Sequence, residues 1–252
     1  MIRIIMSGCN GKMGQVITRL VSETQDCQIV AGFDIFDGIK NEYPVYKNPN
    51  DCQEEADVII DFSHPNSLKN LLSYALSKNI PVVVATTGLS NQQILNLNEV
   101  SKKIPIFFSA NMSLGINLLI DLVAKAAKLL EDSFDIEIIE KHHNQKIDAP
   151  SGTALAIADA ISSNLSQNKE YVYDRHSVRK KRSKNEIGIH AVRGGTIAGE
   201  HSVIFAGNDE IIEFNHYATS KEIFAVGALK AARFMVHQKP GMYSMKNLIG
   251  SL

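Results

Sequence analysis

Apolar residues follow two different rhythms along this chain. Up to about residue 110, short continuous apolar runs alternate with stretches of helical spacing. Ile2 to Met6, Gln28 to Phe33, Asp57 to Phe62, Pro81 to Ala85 and Ile104 to Phe108 are such runs, and they predict strands buried on both faces, as in a parallel sheet covered by helices. Val16, Ile17, Leu20 and Val21 recur at helical spacing after the first run, and a helix from about Asn66 to Lys78 follows the third. Strand and helix in alternation predict a doubly wound α/β domain.

Beyond Asn111 the texture changes. The pattern predicts a helix from about Leu114 to Leu130, a strand from Phe134 to Lys141, a polar loop, and a helix from Ser151 to about Leu165. Ile187 to Tyr217 is strand-rich, with Gly207-Asn208-Asp209 turning between Ser202–Phe205 and Ile211–Phe214. That part predicts an α+β region with an antiparallel or mixed sheet. A last helix is expected from about Ser220 to His237, stopped by Pro240-Gly241.

Of the 252 residues, 44% are hydrophobic and 21% charged, which makes this an ordinary globular chain. Lys plus Arg total 26 against 27 acids, a net charge of −1, so no overall field draws it to nucleic acid or anionic lipid. No apolar stretch approaches ~18 residues, and Met1 to Ser7 is too short for a signal peptide, so neither membrane nor export is expected. Cys9, Cys27 and Cys52 are odd in number and lack Cys-x-x-Cys spacing. Neither a disulfide framework nor a metal site is indicated, and the cytoplasm is the expected location.

Between the first strand and helix lie Gly8, Gly11 and Gly14, where bare backbone lets a pyrophosphate reach the free N–H groups of a helix start. The G-x-x-G-x-x-G spacing is one residue longer than the usual dinucleotide fingerprint. Asp34, 20 residues past Gly14 at the end of the second strand, can accept from the adenosine ribose hydroxyls. Ile35 and Phe36 follow it, offering no cation for a 2′-phosphate, so NADH is the expected cofactor, with NADPH possible. Cys9 reads as a small filler of the turn.

The least ordinary stretch is Glu140-Lys141-His142-His143-Asn144-Gln145-Lys146-Ile147-Asp148-Ala149-Pro150-Ser151-Gly152-Thr153. His142 and His143 close a strand whose successive side chains point to opposite faces, which disfavours joint metal ligation. Pro150-Ser151-Gly152-Thr153 opens a helix whose first N–H groups favour an anion, although Ser151 also suits an ordinary N-cap. The two histidines, Lys146 and the helix start describe a pocket for an acidic substrate. Lys146 can donate a proton there, and His142 or His143 can bind a carboxylate or shuttle that proton.

These segments, with Asp61-Phe62-Ser63-His64-Pro65, Ala85-Thr86-Thr87-Gly88, Ser109 to Gly115, Gly199-Glu200-His201 and Pro240-Gly241-Met242-Tyr243, resemble the dihydrodipicolinate reductase family in order and over essentially the whole chain. The resemblance implies NADH- or NADPH-dependent reduction of 4-hydroxy-tetrahydrodipicolinate to tetrahydrodipicolinate on the diaminopimelate route to lysine. It implies a Rossmann-type dinucleotide-binding domain over 1–112 and 218–252, and a substrate domain over 113–217 through which a homotetramer assembles. Hinges are expected near Asn111 to Ser113 and near Ala218, with the two ligands meeting in a cleft.

By the same resemblance, the pyrophosphate falls on Gly8, Cys9, Asn10, Gly11, Lys12 and Met13, and the ribose on Asp34. The nicotinamide side falls on Ala85, Thr86, Thr87, Ser109, Ala110, Asn111 and Met112. His142 matches the active-site histidine, Lys146 the proton donor, and His143, Gly152 and Thr153 the contacts to the dicarboxylate. The chain departs from the family in lacking a basic residue after the ribose acid and in having Ala85 where Gly-Thr-Thr-Gly begins.

The basic run Arg175, Arg179, Lys180, Lys181, Arg182 and Lys184 lacks interleaved aromatics and reads as a solvated loop, able at most to steer an anionic substrate. Two rival readings are an aspartate- or homoserine-type dehydrogenase and an NAD-sensing regulator using this run on DNA. The first has no need of Lys146 beside Ser151-Gly152-Thr153, and the second requires no turnover.

Overall fold

The computed structural model describes residues 1–251, and its chain order begins β1 (Ile2–Ser7), α1 (Lys12–Ser22), β2 (Cys27–Phe33), β3 (Val45–Tyr46), β4 (Val58–Asp61), α2 (Leu68–Lys78), β5 (Val82–Val84), α3 (Asn91–Ser101) and β6 (Pro105–Phe108). It continues with α4 (Leu114–Leu130), β7 (Asp135–His142), α5 (Gly152–Ser162), β8 (Glu170–Val172), β9 (Glu186–Arg193), β10 (Gly199–Ala206) and β11 (Ile211–Ala218). It closes with α6 (Glu222–Met235), β12 (Gly241–Tyr243) and α7 (Met245–Gly250). Two units result: Met1–Leu114 with the chain from Glu222 on, and Gly115–Lys221. The sequence reading drew these divisions slightly earlier, after residues 112 and 217.

In the first unit seven strands lie in the order β12-β6-β5-β4-β1-β2-β3, all parallel. Alternate side chains explain why helices must cover both faces. Ile4 and Met6 of β1 and Val58 and Ile60 of β4 enter one core with Ile17 of α1 and Ala225, Ala228, Ala231 and Ala232 of α6. Ile5 and Ile59 enter the other with Leu71 and Leu72 of α2 and Leu97 of α3. The alanines let α6 approach the sheet closely. At Gly227 a Cβ would lie 1.7 Å from the Met112 carbonyl oxygen, so any side chain there would force the helix away, at a cost of about 1–3 kcal/mol or more.

The second unit is a five-stranded mixed sheet in the order β11-β10-β7-β9-β8, with β9 parallel to β7 and β8, and β10 antiparallel to β7 and β11. Burial alternates strictly along β7 and β10. Ile136, Ile138, Val203 and Phe205 pack under α4 and α5 with Leu119, Val123, Ile157 and Ile161. Ile139, Ile204 and Val192 take the opposite face by strand alternation.

Several elements differ from expectation. The two- and three-residue strands β3, β8 and β12 carry no readable period, and Gly241, expected only to stop a helix, opens β12 beside Pro105–Phe107. The basic run is not simply a solvated loop. Arg175 pairs with Glu137 and Glu186, Arg182 with Asp135 and Glu137, and Lys180 with Glu186, so acids of β7 and β9 neutralise three of its cations.

Candidate active site

In the first unit, strand order reverses between β1 and β4, and the turn after β1 lies at that switch point. Gly8 adopts φ +79, and a Cβ on it would stand 2.7 Å from the Phe62 carbonyl oxygen. Gly14 is packed harder still, its absent Cβ falling 2.2 Å from the Gly8 carbonyl oxygen. Gly11 is the N-cap of α1 and supplies no side-chain cap, and no acid occupies the first turn. Ser90 and Ser151, by contrast, cap their own helices. The start of α1 therefore keeps backbone donors and positive dipole for an anion.

Asp34 is joined directly to this turn. Its Oδ2 accepts from the Asn10 N–H at 2.9 Å and its Oδ1 from the Phe36 N–H at 3.0 Å. An ionised carboxylate offers about four acceptor positions, so two are left for ribose hydroxyls. Asn41 donates to the Asn10 side chain at 2.8 Å, Asn10 Nδ2 donates to the Phe36 carbonyl, and Gln15 donates to the Cys9 carbonyl at 2.9 Å. The Cys9 thiol faces the core and burial pushes its pKa up to about 12, which suits a filler. Lys12 and Gly11 are exposed and Met13 is half-buried. Lys47 is paired with Asp37 at 2.7 Å. An uncapped helix start, two tight glycines and an anchored acid fit the pyrophosphate and ribose of a dinucleotide.

The segments placed on the nicotinamide by resemblance follow β5 and β6. Thr86 is buried and its hydroxyl donates to Asp61 Oδ2 at 2.7 Å, while Ser63 donates to Asp61 Oδ1 at 2.6 Å. Burial raises the Asp61 carboxyl, and these donors work against the rise. Thr87 is exposed and Ala85 buried. Ser109 donates to the Asn111 carbonyl at 2.7 Å, Asn111 Oδ1 accepts from the Ser113 N–H at 2.9 Å, and Ala110 is exposed. The Cys9, Thr86 and Met112 side chains turn inward, so contact with a cofactor there falls to backbone groups.

In the second unit, β7 brings Glu140 and His142 to the helix-covered face, two residues apart and both buried. Glu140 accepts four hydrogen bonds: from His142 Nδ1 at 2.6 Å, from the Ser151 N–H at 2.9 Å, and from both terminal nitrogens of Arg193 at 2.7 Å each. Burial alone would push this carboxyl up, and the four donors outweigh it and hold it below the usual carboxylate range. Ser151 Oγ caps the Ala154 N–H at 3.1 Å and shares a 3.2 Å hydrogen bond with His201 Nε2. Burial first, and the adjacent His142 second, lower the His201 imidazole to about 4. The His142 and His201 rings meet edge to face at 5.3 Å.

Lys146 sits on a turn closed by its own N–H to the His143 carbonyl at 3.1 Å, and its ammonium pairs with Asp148 at 2.8 Å. That pairing holds the Asp148 carboxyl below its ordinary range. A cis Ala149-Pro150 bond leads into α5. His143 is half-buried beyond the strand end, Gly152 is exposed and Thr153 half-buried. A Cβ on Gly152 would meet nothing within 4 Å, so the space beside this helix start is open. Among the described residues no group of three or more His, Cys, Asp or Glu could hold a metal ion.

Sequence reasoning named Glu140, His201 and Asp61 only as parts of motifs and missed Arg193 as a contributor. Arg193 lies 53 residues from Glu140 and reaches it through the β7–β9 pairing, which nothing local announces.

Both family models that match the chain are of one family. Residues 2–112 match the family model described as dihydrodipicolinate reductase, N-terminus, and residues 115–249 the one described as dihydrodipicolinate reductase, C-terminus. The chain is 56% identical over 253 residues to the 4-hydroxy-tetrahydrodipicolinate reductase of Caldanaerobacter subterraneus subsp. tengcongensis, covering 99% of this chain and 98% of that one. It is 52% identical to the enzyme of the same name from Clostridium tetani, covering 100% and 98%. Its fold is similar to that of a dipicolinate-bound dihydrodipicolinate reductase from Paenisporosarcina sp. TG-14, with a TM-score of 0.82, 24% identity and 97% of each chain covered.

Proposed function

The chain belongs to the dihydrodipicolinate reductase family, and from that membership we infer that it reduces 4-hydroxy-tetrahydrodipicolinate to tetrahydrodipicolinate with a reduced nicotinamide dinucleotide. The observation that carries the reading is the cluster of Lys146, His142 and the α5 start around a Glu140–Arg193 pair, in a chain matched over its full length to such enzymes.

When bound, the dinucleotide would supply hydride to the ring carbon that carried the hydroxyl, after that hydroxyl has left as water with a proton from the adjacent ring carbon, so that hydride addition leaves an enamine. The turn from Gly8 to Met13 would cradle its pyrophosphate, with the N–H groups of Lys12 and Met13 at the uncapped start of α1 as donors, and Asp34 would hold its adenosine ribose. With both Asp34 oxygens anchored by backbone donors and Lys47 committed to Asp37, the finer reading is a preference for NADH over NADPH.

The substrate is a dicarboxylate, and dipicolinate in the Paenisporosarcina structure is a ligand of the same chemical class. His143, Gly152 and Thr153, beside the start of α5, are assigned to one carboxylate. Lys146 gives its proton to the enamine carbon left by hydride addition. His142, held through Nδ1 by Glu140, orients the substrate.

The helix-free face of the mixed sheet, carrying Val192, Ile204 and the exposed Tyr217, supports assembly into a homotetramer through this unit. Three free, buried cysteines suit the reducing cytoplasm, and among the described residues no helix is long and apolar enough to cross a membrane.

The test is NADH consumption with enzymatically generated substrate, for the wild-type protein and for Lys146→Ala. Wild-type turnover is expected, and the variant should lose at least ~10²-fold in kcat with its fold and NADH binding retained. His142→Gln should lose less. A Lys146→Ala variant with wild-type kcat would reduce Lys146 to a carboxylate anchor.

A further inference from the structure

We propose that Arg193 is a positioning residue for this reduction, a guanidinium clasp that locks the histidine of β7 and the lysine-bearing loop into one register. The inference rests on the functional reading of His142 and Lys146 given above.

Arg193 ends β9 opposite His142 in the parallel pairing. Its two terminal nitrogens fork onto the two oxygens of the buried Glu140 carboxylate, 2.7 Å each. One of them also donates to the Asp148 carbonyl at 2.6 Å, two residues past Lys146, and the other to its own strand at Val192. Glu140 in turn holds His142 Nδ1 and the Ser151 N–H. One planar group thus joins the strand that carries the histidine, the loop that carries the lysine and the helix start assigned to the substrate carboxylate. A lysine could supply the charge but not the fork, so it would keep Glu140 paired and release the loop.

The clasp has an electrostatic side. The charged and titratable groups around His142 are Glu140 on its own strand, Arg193 on β9 and His201 on β10, with Ser151 at the start of α5 and Lys146 acting on His201. Gly199 of β10 backs the ring so closely that a Cβ would lie 3.1 Å from His142 Nε2. Arg193 shares the Glu140 charge with His142. Without Arg193 the whole carboxylate charge would fall on the imidazole and favour its protonated form.

The experiment compares the wild-type protein, Arg193→Lys and Arg193→Gln. Three quantities are read: kcat with enzymatically generated substrate, NADH affinity by fluorescence, and the His142 titration midpoint by NMR. Arg193→Lys keeps the buried charge and therefore the fold. It should lose roughly 10- to 100-fold in kcat through misplacement of the donor, with NADH affinity unchanged. The His142 midpoint should rise in Arg193→Gln, and less in Arg193→Lys. Wild-type turnover with unchanged kcat in folded Arg193→Lys overturns the proposal alone. A fall in kcat with an unmoved His142 midpoint in both variants reduces Arg193 to a structural part and also overturns it. Absence of wild-type turnover overturns the functional reading and the proposal together.

Discussion

Gly14→Ala puts the cofactor assignment at risk with a single methyl group. The new Cβ would stand 2.2 Å from the Gly8 carbonyl oxygen, 2.6 Å from the Cys9 carbonyl oxygen and 2.7 Å from the Cys9 carbonyl carbon. All three atoms are backbone, so no rotamer change relieves the overlap. Ordinary contact returns only when the turn and α1 separate by about 1 Å, and such overpacking costs about 1–3 kcal/mol. Replacing a helical glycine returns at most about 1 kcal/mol of that.

The same displacement would stretch the Asn10 N–H to Asp34 bond, now 2.9 Å, beyond hydrogen-bonding reach, and carry the helix-start donors off the pyrophosphate. One charge-assisted hydrogen bond contributes about 1.5–3 kcal/mol, so NADH affinity should fall roughly 10- to 100-fold. Fluorescence titration with NADH reads this, and thermal unfolding reads the packing cost. Gly152→Ala, whose Cβ meets no protein atom within 4 Å, is the control and should leave NADH affinity unchanged without any packing cost. A folded Gly14→Ala protein that binds NADH as tightly as wild type would refute the placement of the cofactor on this turn.

Gly152→Val should raise the substrate KM strongly and leave NADH affinity nearly intact, because its side chain enters the open space beside the helix start assigned to the substrate; an unchanged KM in the folded variant would move the pocket elsewhere. Specificity constants measured at one salt concentration should favour NADH over NADPH, and a clear NADPH preference would sink the argument from Asp34. His201 binds protons less readily folded, at about 4, than unfolded, at 6.5, so stability should be lost as pH falls from about 6.5 to about 4, by at most roughly 3 kcal/mol. Thermal unfolding across that window should show a shallower slope for His201→Gln, and an equal slope would remove His201 as the cause.

The sheet of the first unit was legible because its central strands are buried on both faces, which leaves continuous apolar runs too short for a buried helix. Helix α3 was not read, since only Leu97, Val100 and Ser101 of its eleven residues are buried and the apolar period is faint. Gly8, Gly14 and Asp34 could be found because the turn and the acid keep a short, fixed separation. Arg193 could not, since its partner is reached across a strand pairing that closes only in the folded sheet. Thr86 shows the opposite difficulty: the motif marks the residue, but only the fold reveals that its hydroxyl is spent on Asp61. The basic run misled because its neutralising acids, Glu137 and Glu186, lie on strands of the mixed sheet.

The discontinuity of the first unit bears on how this protein is made. Helix α6 supplies Ala225, Ala228, Ala231 and Ala232 to the core that also holds Ile4 and Met6, and β12 covers the edge left by β6. A ribosome that has released residues 1–114 has therefore produced a sheet with one face covered only in part, by α1, and one edge bare. At about 5–20 residues per second the missing pieces trail by some seconds, the time needed to translate roughly 100 intervening residues. During that interval β6 presents unpaired backbone groups to any other nascent chain. The hazard of aggregation is thus concentrated at Pro105–Phe108, and it ends only when α6 and β12 emerge.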